Sequence, residues 1–128
     1  MKGIIFTLFL LTSVGVFSQT QTEMNIEASN AYKKSDQKLN AVYQKILSEY
    51  KDDKVFIKNL KTAQRLWIQF RDAEMKAKFP DREAGYYGSI QPLCWFNYLQ
   101  ELTEERTRKL NTWLQGGEEG DVYGGSVK

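Results

Sequence analysis

Apolar side chains recur at helical spacing along almost the whole chain beyond residue 18. Ala28, Tyr32, Leu39, Tyr43, Ile46 and Tyr50 share one helical face and predict a long first helix. Ser35-Asp36 sits within it, and such residues compete for backbone hydrogen bonds, so a kink or break is expected near Ser35. Lys51-Asp52-Asp53 reads as a turn, with Asp52 or Asp53 capping the next helix. That second helix is expected over residues 53–78, where Phe79-Pro80 stops it.

The apolar set of the second helix is broad. Phe56, Leu60, Ala63, Trp67 and Phe70 form one stripe, Leu66 and Ala73 flank one side, and Ile57 and Ile68 flank the other. A helix apolar over more than half its circumference is normally packed on two sides, so this one is expected to be central. Residues 79–92 form the longest connection, punctuated by Pro80, Gly85, Gly88 and Pro92. The last helix is expected over about residues 92–114, with Phe96, Leu99, Leu102, Leu110 and Trp113 on one face and Gly116-Gly117 at its end. The Gly-rich tail 116–128 has one aromatic, Tyr123, and is expected to be disordered. No segment alternates like a strand and no repeat is visible. The fold class is all-α: a small antiparallel bundle of three main helices, four if the first breaks.

Several polar residues interrupt these apolar faces. Arg106 falls in the middle of the last helix's stripe, with Thr103 beside it. Gln64 and Arg71 border the stripe of the second helix, and Asp36 and Asn40 that of the first. Folding the first two helices back on each other at Asp52 brings Asp36 to the level of Arg71. The last helix then runs parallel to the first, with Arg106 near Asn40. A network of Asp36, Asn40, Gln64, Arg71, Thr103 and Arg106 is therefore expected between the helices, fixing their register. The competing reading is that Arg71 and Arg106 hold an anionic ligand. Arg65 and Asp72 are expected to form a solvated pair on the opposite face.

Residues 1–18 change the picture of where the protein resides. Lys2 precedes an uncharged, largely apolar run, and Val16-Phe17-Ser18 offers small-residue cleavage before Gln19. The run is short for a membrane span, so a cleaved signal peptide and a periplasmic or secreted domain over residues 19–115 are expected. Of 18 basic side chains only Lys2 lies in that segment, leaving 17 against 16 acidic ones. This balance makes no electrostatic case for nucleic acid or an anionic membrane. Cys94 is the only cysteine, so no internal disulfide can form, and its neighbours Leu93, Trp95 and Phe96 predict burial.

The side-chain chemistry argues against an enzyme. With no histidine there is no Ser-His-Asp or Cys-His pair and no His-ligated metal. Asp72 with Glu74, or Glu104 with Glu105, could supply two carboxylates, but such positions on a helix do not converge on one point. No cofactor, no metal site and no catalytic residue is expected.

The run Ala63-Gln64-Arg65-x-Trp67-x-x-Phe70-Arg71-Asp72-Ala73 resembles the signature helix of the LprI-like lysozyme-inhibitor N-terminal domain family. Met24-Asn25, Asp36-x-x-Leu39-Asn40-x-x-Tyr43 and Leu102-Thr103-x-x-Arg106-Thr107-x-x-Leu110 agree in order, as do Gly88-Ser89 and Cys94. The resemblance spans roughly residues 24–114. It implies a small secreted helical domain of the bacterial envelope, with lysozyme inhibition as the family's named activity. Many relatives carry cysteines where this chain has Ile26-Glu27 and Met75, so a disulfide there is absent.

Three functions compete. A muramidase inhibitor would plug a groove carrying two carboxylates. The loop 81–89 is the candidate plug: Arg82 would meet a carboxylate and Tyr86 and Tyr87 would fill sugar subsites, with Ser89 closing the loop. The same tyrosines could instead pack on the bundle. A cell-wall module would stack Tyr86, Tyr87 and Trp95 on peptidoglycan sugars. The third is an envelope-assembly domain for another protein.

Overall fold

Asp53 sets the start of the second helix, its Oδ1 accepting from the Phe56 backbone N–H at 2.9 Å. That cap satisfies one of the amides that every helix leaves orphaned at its first turn. A computed structural model of the protein describes residues 13–117 and 122–128, and side chains from residue 20 onward. Three helices dominate: α1 (Ser13–Glu49), α2 (Lys54–Lys78) and α3 (Gln91–Asn111), the last continued by one 3-10 turn, Thr112–Leu114. Among the described residues there is no strand. The all-α bundle of three main helices is therefore the fold.

α1 does not break at Ser35. The Ser35 hydroxyl lies 3.3 Å from the Ala31 carbonyl one turn back and 3.2 Å from Glu104 Oε1 on α3. A serine whose hydroxyl is held by its own helix and its neighbour has no partner left with which to unwind the turn. α1 runs antiparallel to α2 and parallel to α3. Tyr50 meets Phe56 across the turn, with ring centroids 4.4 Å apart. At the same end of α3, the Tyr50 hydroxyl donates to the Trp113 carbonyl at 2.8 Å.

The closest-packed pair is α1 and α3. Their buried residues include the small Ala28, Ser35, Thr103 and Thr107, which let the two backbones approach. Thr103 and Thr107 donate their hydroxyls to the carbonyls of Leu99 and Thr103, so neither leaves a buried polar group unpaired. α2 is central in chain order but not in packing. It closes one side of the pair through Phe56, Leu60, Gln64 and Met75. Val55, Leu66, Ile68 and Phe70 stay exposed, against the expectation of a helix covered on two sides. Met75 is buried at 2 % exposure. Here the position is held by packing.

The core lies at the closed end of the bundle. Leu39, Ile46, Tyr50, Phe56, Leu60 and Leu110 form one cluster, with Trp67 and Trp113 against it. Each such side chain taken fully out of water contributes about 1.5–3 kcal/mol. The described ends of the tail, residues 116–117 and 122–128, fold back against the closed end of the bundle. Lys128 donates its backbone N–H to the Tyr50 hydroxyl at 2.8 Å and accepts from Gly117 at 3.2 Å. Gly116 makes the return with φ +79°, a conformation that suits glycine. The signal-peptide expectation falls largely on residues 1–12, outside the described residues, as do residues 118–121 of the tail. Among the described residues no helix is long and apolar enough to cross a membrane.

Candidate functional site

Two side-chain bonds join α2 and α3 among the described residues, Arg106 to Gln64 and Tyr98 to Glu74, and the first lies within the polar seam. Arg106 donates Nε–H to Gln64 Oε1 at 2.9 Å, and Gln64 is 7 % exposed. Burial lowers the Arg106 guanidinium from its ordinary value. Among the described residues the ion pairs are Lys45–Glu49 and Arg71–Asp72, so Arg106 meets no carboxylate there. A neutral amide oxygen partners the cation where a salt bridge would have cost desolvation of two charges.

The other members expected in that network are held locally. Asn40 donates to Asp36 one turn back on an exposed face, at 3.3 Å. Thr103 bonds within α3. Arg71 pairs with its neighbour Asp72, Nη2 to Oδ1 at 2.8 Å, and lies over the Trp67 ring at 5.4 Å. Asp72 thus takes Arg71 as partner and not Arg65. Across from it on α1, burial pushes the Tyr32 hydroxyl above its ordinary value; the Arg71 charge offsets part of that, and Asp36 and Asp72 add to it. Asp36 and Arg71 therefore share an electrostatic neighbourhood around Tyr32 without a direct bond. The six residues form a string of separate contacts with one inter-helix link.

The second candidate region is the open end of the bundle, residues 80–90. Two anchors shape this loop. The Tyr87 hydroxyl donates back to the Pro80 carbonyl at 2.6 Å, and Asn25 Nδ2 on α1 donates to the Ser89 carbonyl at 3.2 Å. Gly85 and Gly88, at φ +83° and +71°, make the tight turns between them. What remains at the tip is Arg82 and Tyr86. Tyr86 is 61 % exposed, stands edge-on to Tyr87 at 4.9 Å and lies under the Arg82 guanidinium at 5.7 Å. With Asp81 and Glu83 they line an open depression. Arg82 has no ion pair with either acid. Its charge stands over an aromatic face, the geometry of a cation–π contact.

The four loop residues named from the sequence thus divide. Arg82 and Tyr86 are presented outward, while Tyr87 and Ser89 hold the loop in place. Tyr87 is half-buried on Phe79, which also touches Trp95 and Tyr98 at centroid distances of 5.7 and 6.5 Å. Tyr98 donates its hydroxyl to Glu74 Oε1 at 2.7 Å and lies beneath Lys78 Nζ at 4.3 Å. The hydrogen bond to Glu74 raises the Tyr98 hydroxyl above its ordinary value, with desolvation adding to it. From the sequence Phe79 reads only as a helix stop and Glu74 only as half of a carboxylate pair, and Tyr98 carries no expectation. The available signal was the density of aromatics over residues 79–98.

Cys94 is exposed, not buried. Leu93 and Phe96, three residues apart, turn toward the bundle, and Cys94 lies about 100° off Leu93. Its backbone N–H donates to the Ile90 carbonyl in the first turn of α3. No group of three or more acidic or cysteine side chains that could hold a metal occurs among the described residues.

Residues 17–110 match the family model described as lysozyme inhibitor LprI. The chain belongs to the LprI family. It is also 31 % identical over 111 residues to an uncharacterised protein of Rhizobium meliloti (strain 1021), covering 77 % of each chain. No solved structure matches. The fold brings together pieces that lie far apart within the matched segment. Asn25 reaches Ser89, Gln64 of the long motif reaches Arg106, and Leu39 and Leu110 share the core.

Proposed function

We propose that this LprI-family protein is a secreted, non-enzymatic domain that inhibits a lysozyme through the loop 80–90, after removal of residues 1–18 as a signal peptide. The observation that carries the reading is the fixed, outward pairing of Arg82 and Tyr86 on a loop anchored at both ends. A lysozyme groove holds two carboxylates, one of which must donate a proton to the leaving sugar. A guanidinium brought against such a carboxylate favours its ionised form and so removes the acid. A tyrosine ring beside it occupies a sugar subsite by stacking. Because the loop is anchored before binding, little conformational entropy is lost on docking.

The test is a bacterial cell-wall turbidity assay with several lysozyme classes and increasing amounts of the protein. Saturable inhibition near one-to-one stoichiometry is expected, and Arg82→Ala/Tyr86→Ala should remove it while the helical circular dichroism stays unchanged. Tyr87 is left alone because it holds the loop. Inhibition retained by the double variant would reject the loop.

A second reading rests on the aromatic group Phe79, Tyr87, Trp95 and Tyr98 behind that loop. Partly open rings with a hydrogen-bonding hydroxyl beside them suit glycan stacking. On this reading the protein sediments with purified peptidoglycan in the absence of any lysozyme, and Trp95→Ala abolishes it.

A further inference from the structure

The outer face of α2 is left uncovered by the fold. Val55, Thr62, Leu66, Phe70, Ala73 and Ala77 fall within a narrow arc of the helix and are all exposed. Leu66 and Phe70, one turn apart at its centre, are 57 % and 56 % exposed, an unusual place for two large apolar side chains. At about 1.5 Å per residue the stripe is a straight ridge roughly 33 Å long. Lys58, Arg65 and Lys76 line one margin, and all three are exposed.

The charge on this helix is one-sided. α2 carries seven basic residues and two acidic ones. Both acids are engaged, Asp72 by Arg71 and Glu74 by the Tyr98 hydroxyl. The near-neutral total of the chain, +2, therefore conceals a helix whose available charge is cationic. A second copy docking through the same stripe would bring two such helices together against their repulsion. The outer ridge of a helix also gives a shaped partner little to enclose, but it can lie on a flat surface.

We propose that α2 is a lipid-docking helix, laying its Leu66/Phe70 stripe on an anionic membrane surface with Lys58, Arg65 and Lys76 against the headgroups. Apolar side chains flanked by Lys and Arg on an exposed helix face are the arrangement by which helices rest in a bilayer interface without spanning it. Attraction of the basic margin depends on anionic lipid and weakens with salt. This surface is separate from the loop 80–90, so the proposal stands or falls independently of lysozyme inhibition.

The experiment is vesicle sedimentation of the purified protein. One set of vesicles is equal parts phosphatidylglycerol and phosphatidylethanolamine; the other is phosphatidylcholine alone. Binding to the anionic set is expected, at least about tenfold weaker on the neutral set, and lost as salt is raised. Leu66→Ser/Phe70→Ser and Lys58→Glu/Arg65→Glu/Lys76→Glu should each reduce it by about tenfold or more. Circular dichroism should stay unchanged, since every substituted position is exposed. Equal binding to both vesicle types, or binding kept by the variants, would overturn the proposal and assign adsorption to another segment, such as the apolar residues 1–18. Absence of vesicle binding overturns it as well. Sedimentation-velocity dimers abolished by Leu66→Ser/Phe70→Ser would then assign the stripe to a second copy, and variant-sensitive binding to an acidic helical peptide would assign it to a protein.

Discussion

Gln64 and Arg106 form a side-chain hydrogen bond linking α2 to α3, 42 residues apart in sequence and 2.9 Å apart in space. Each needs the other for a different reason. Gln64 is buried, so solvent does not readily replace a lost donor, whereas Arg106 is half-buried and can turn toward solvent. Arg106→Met should therefore cost about 1–3 kcal/mol by stranding the amide, and Gln64→Leu about 1–2 kcal/mol. The double variant should lose less than the sum, with a coupling of about 1 kcal/mol, read from urea unfolding midpoints. Additive losses, or a fully stable Arg106→Met, would show that the bond does not set the helix register.

Tyr50 is a junction between the core and the tail. Its hydroxyl donates to Trp113 and accepts from Lys128, while its ring sits under Lys128 Nζ at 5.0 Å. Tyr50→Phe keeps the ring and removes both bonds, so a loss of about 1–2 kcal/mol is expected. Limited proteolysis should cut the tail faster in the variant. Unchanged cleavage would mean the tail is held by the Gly117 N–H to Lys128 carbonyl bond instead.

Tyr87→Phe isolates the loop from the bundle. The ring contacts with Phe79 and Tyr86 persist, but the bond to the Pro80 carbonyl is lost. Global stability should change by less than about 1 kcal/mol, because the bond closes only a short loop. Protection of the loop amides against hydrogen exchange should fall, with α1 and α3 unaffected. Inhibition, where present, should weaken through a faster off-rate.

Alkaline pH should loosen the fold. Tyr32 is raised by burial and Tyr98 by its bond to Glu74. A raised tyrosine means that the folded state holds its proton more tightly than the unfolded one. The associated stability is thus complete below the ordinary tyrosine value of 10.0 and is lost as pH rises through the folded values. Urea midpoints measured across that range should fall less steeply in Tyr98→Phe than in the parent. An identical slope would show that the Glu74 bond does not persist in solution.

Helix identity was legible from spacing alone, because a 3.6-residue period leaves the same apolar signature whatever the helix later packs against. Asp53 and Phe79-Pro80 bounded α2 for equally local reasons: a carboxylate reaching its own third amide, and a proline that restrains the residue before it. The family resemblance was also a property of the linear chain. Which apolar residues are buried was not. Leu66 and Phe70 carry the same periodic signal as Leu60, yet only Leu60 is covered, because coverage depends on how many neighbours the topology supplies. Three helices with a close α1–α3 pair have nothing left to place on the far side of α2. Cys94 misled for the same reason, its apolar neighbours facing inward while it faces out. The sequence by itself determined the elements, their caps and their order. Only the tertiary structure decided that Gln64 partners Arg106, that Tyr87 anchors and Tyr86 presents, and that a near-neutral chain exposes one cationic, apolar helix face. Such pairings join residues tens of positions apart, and no local period encodes them.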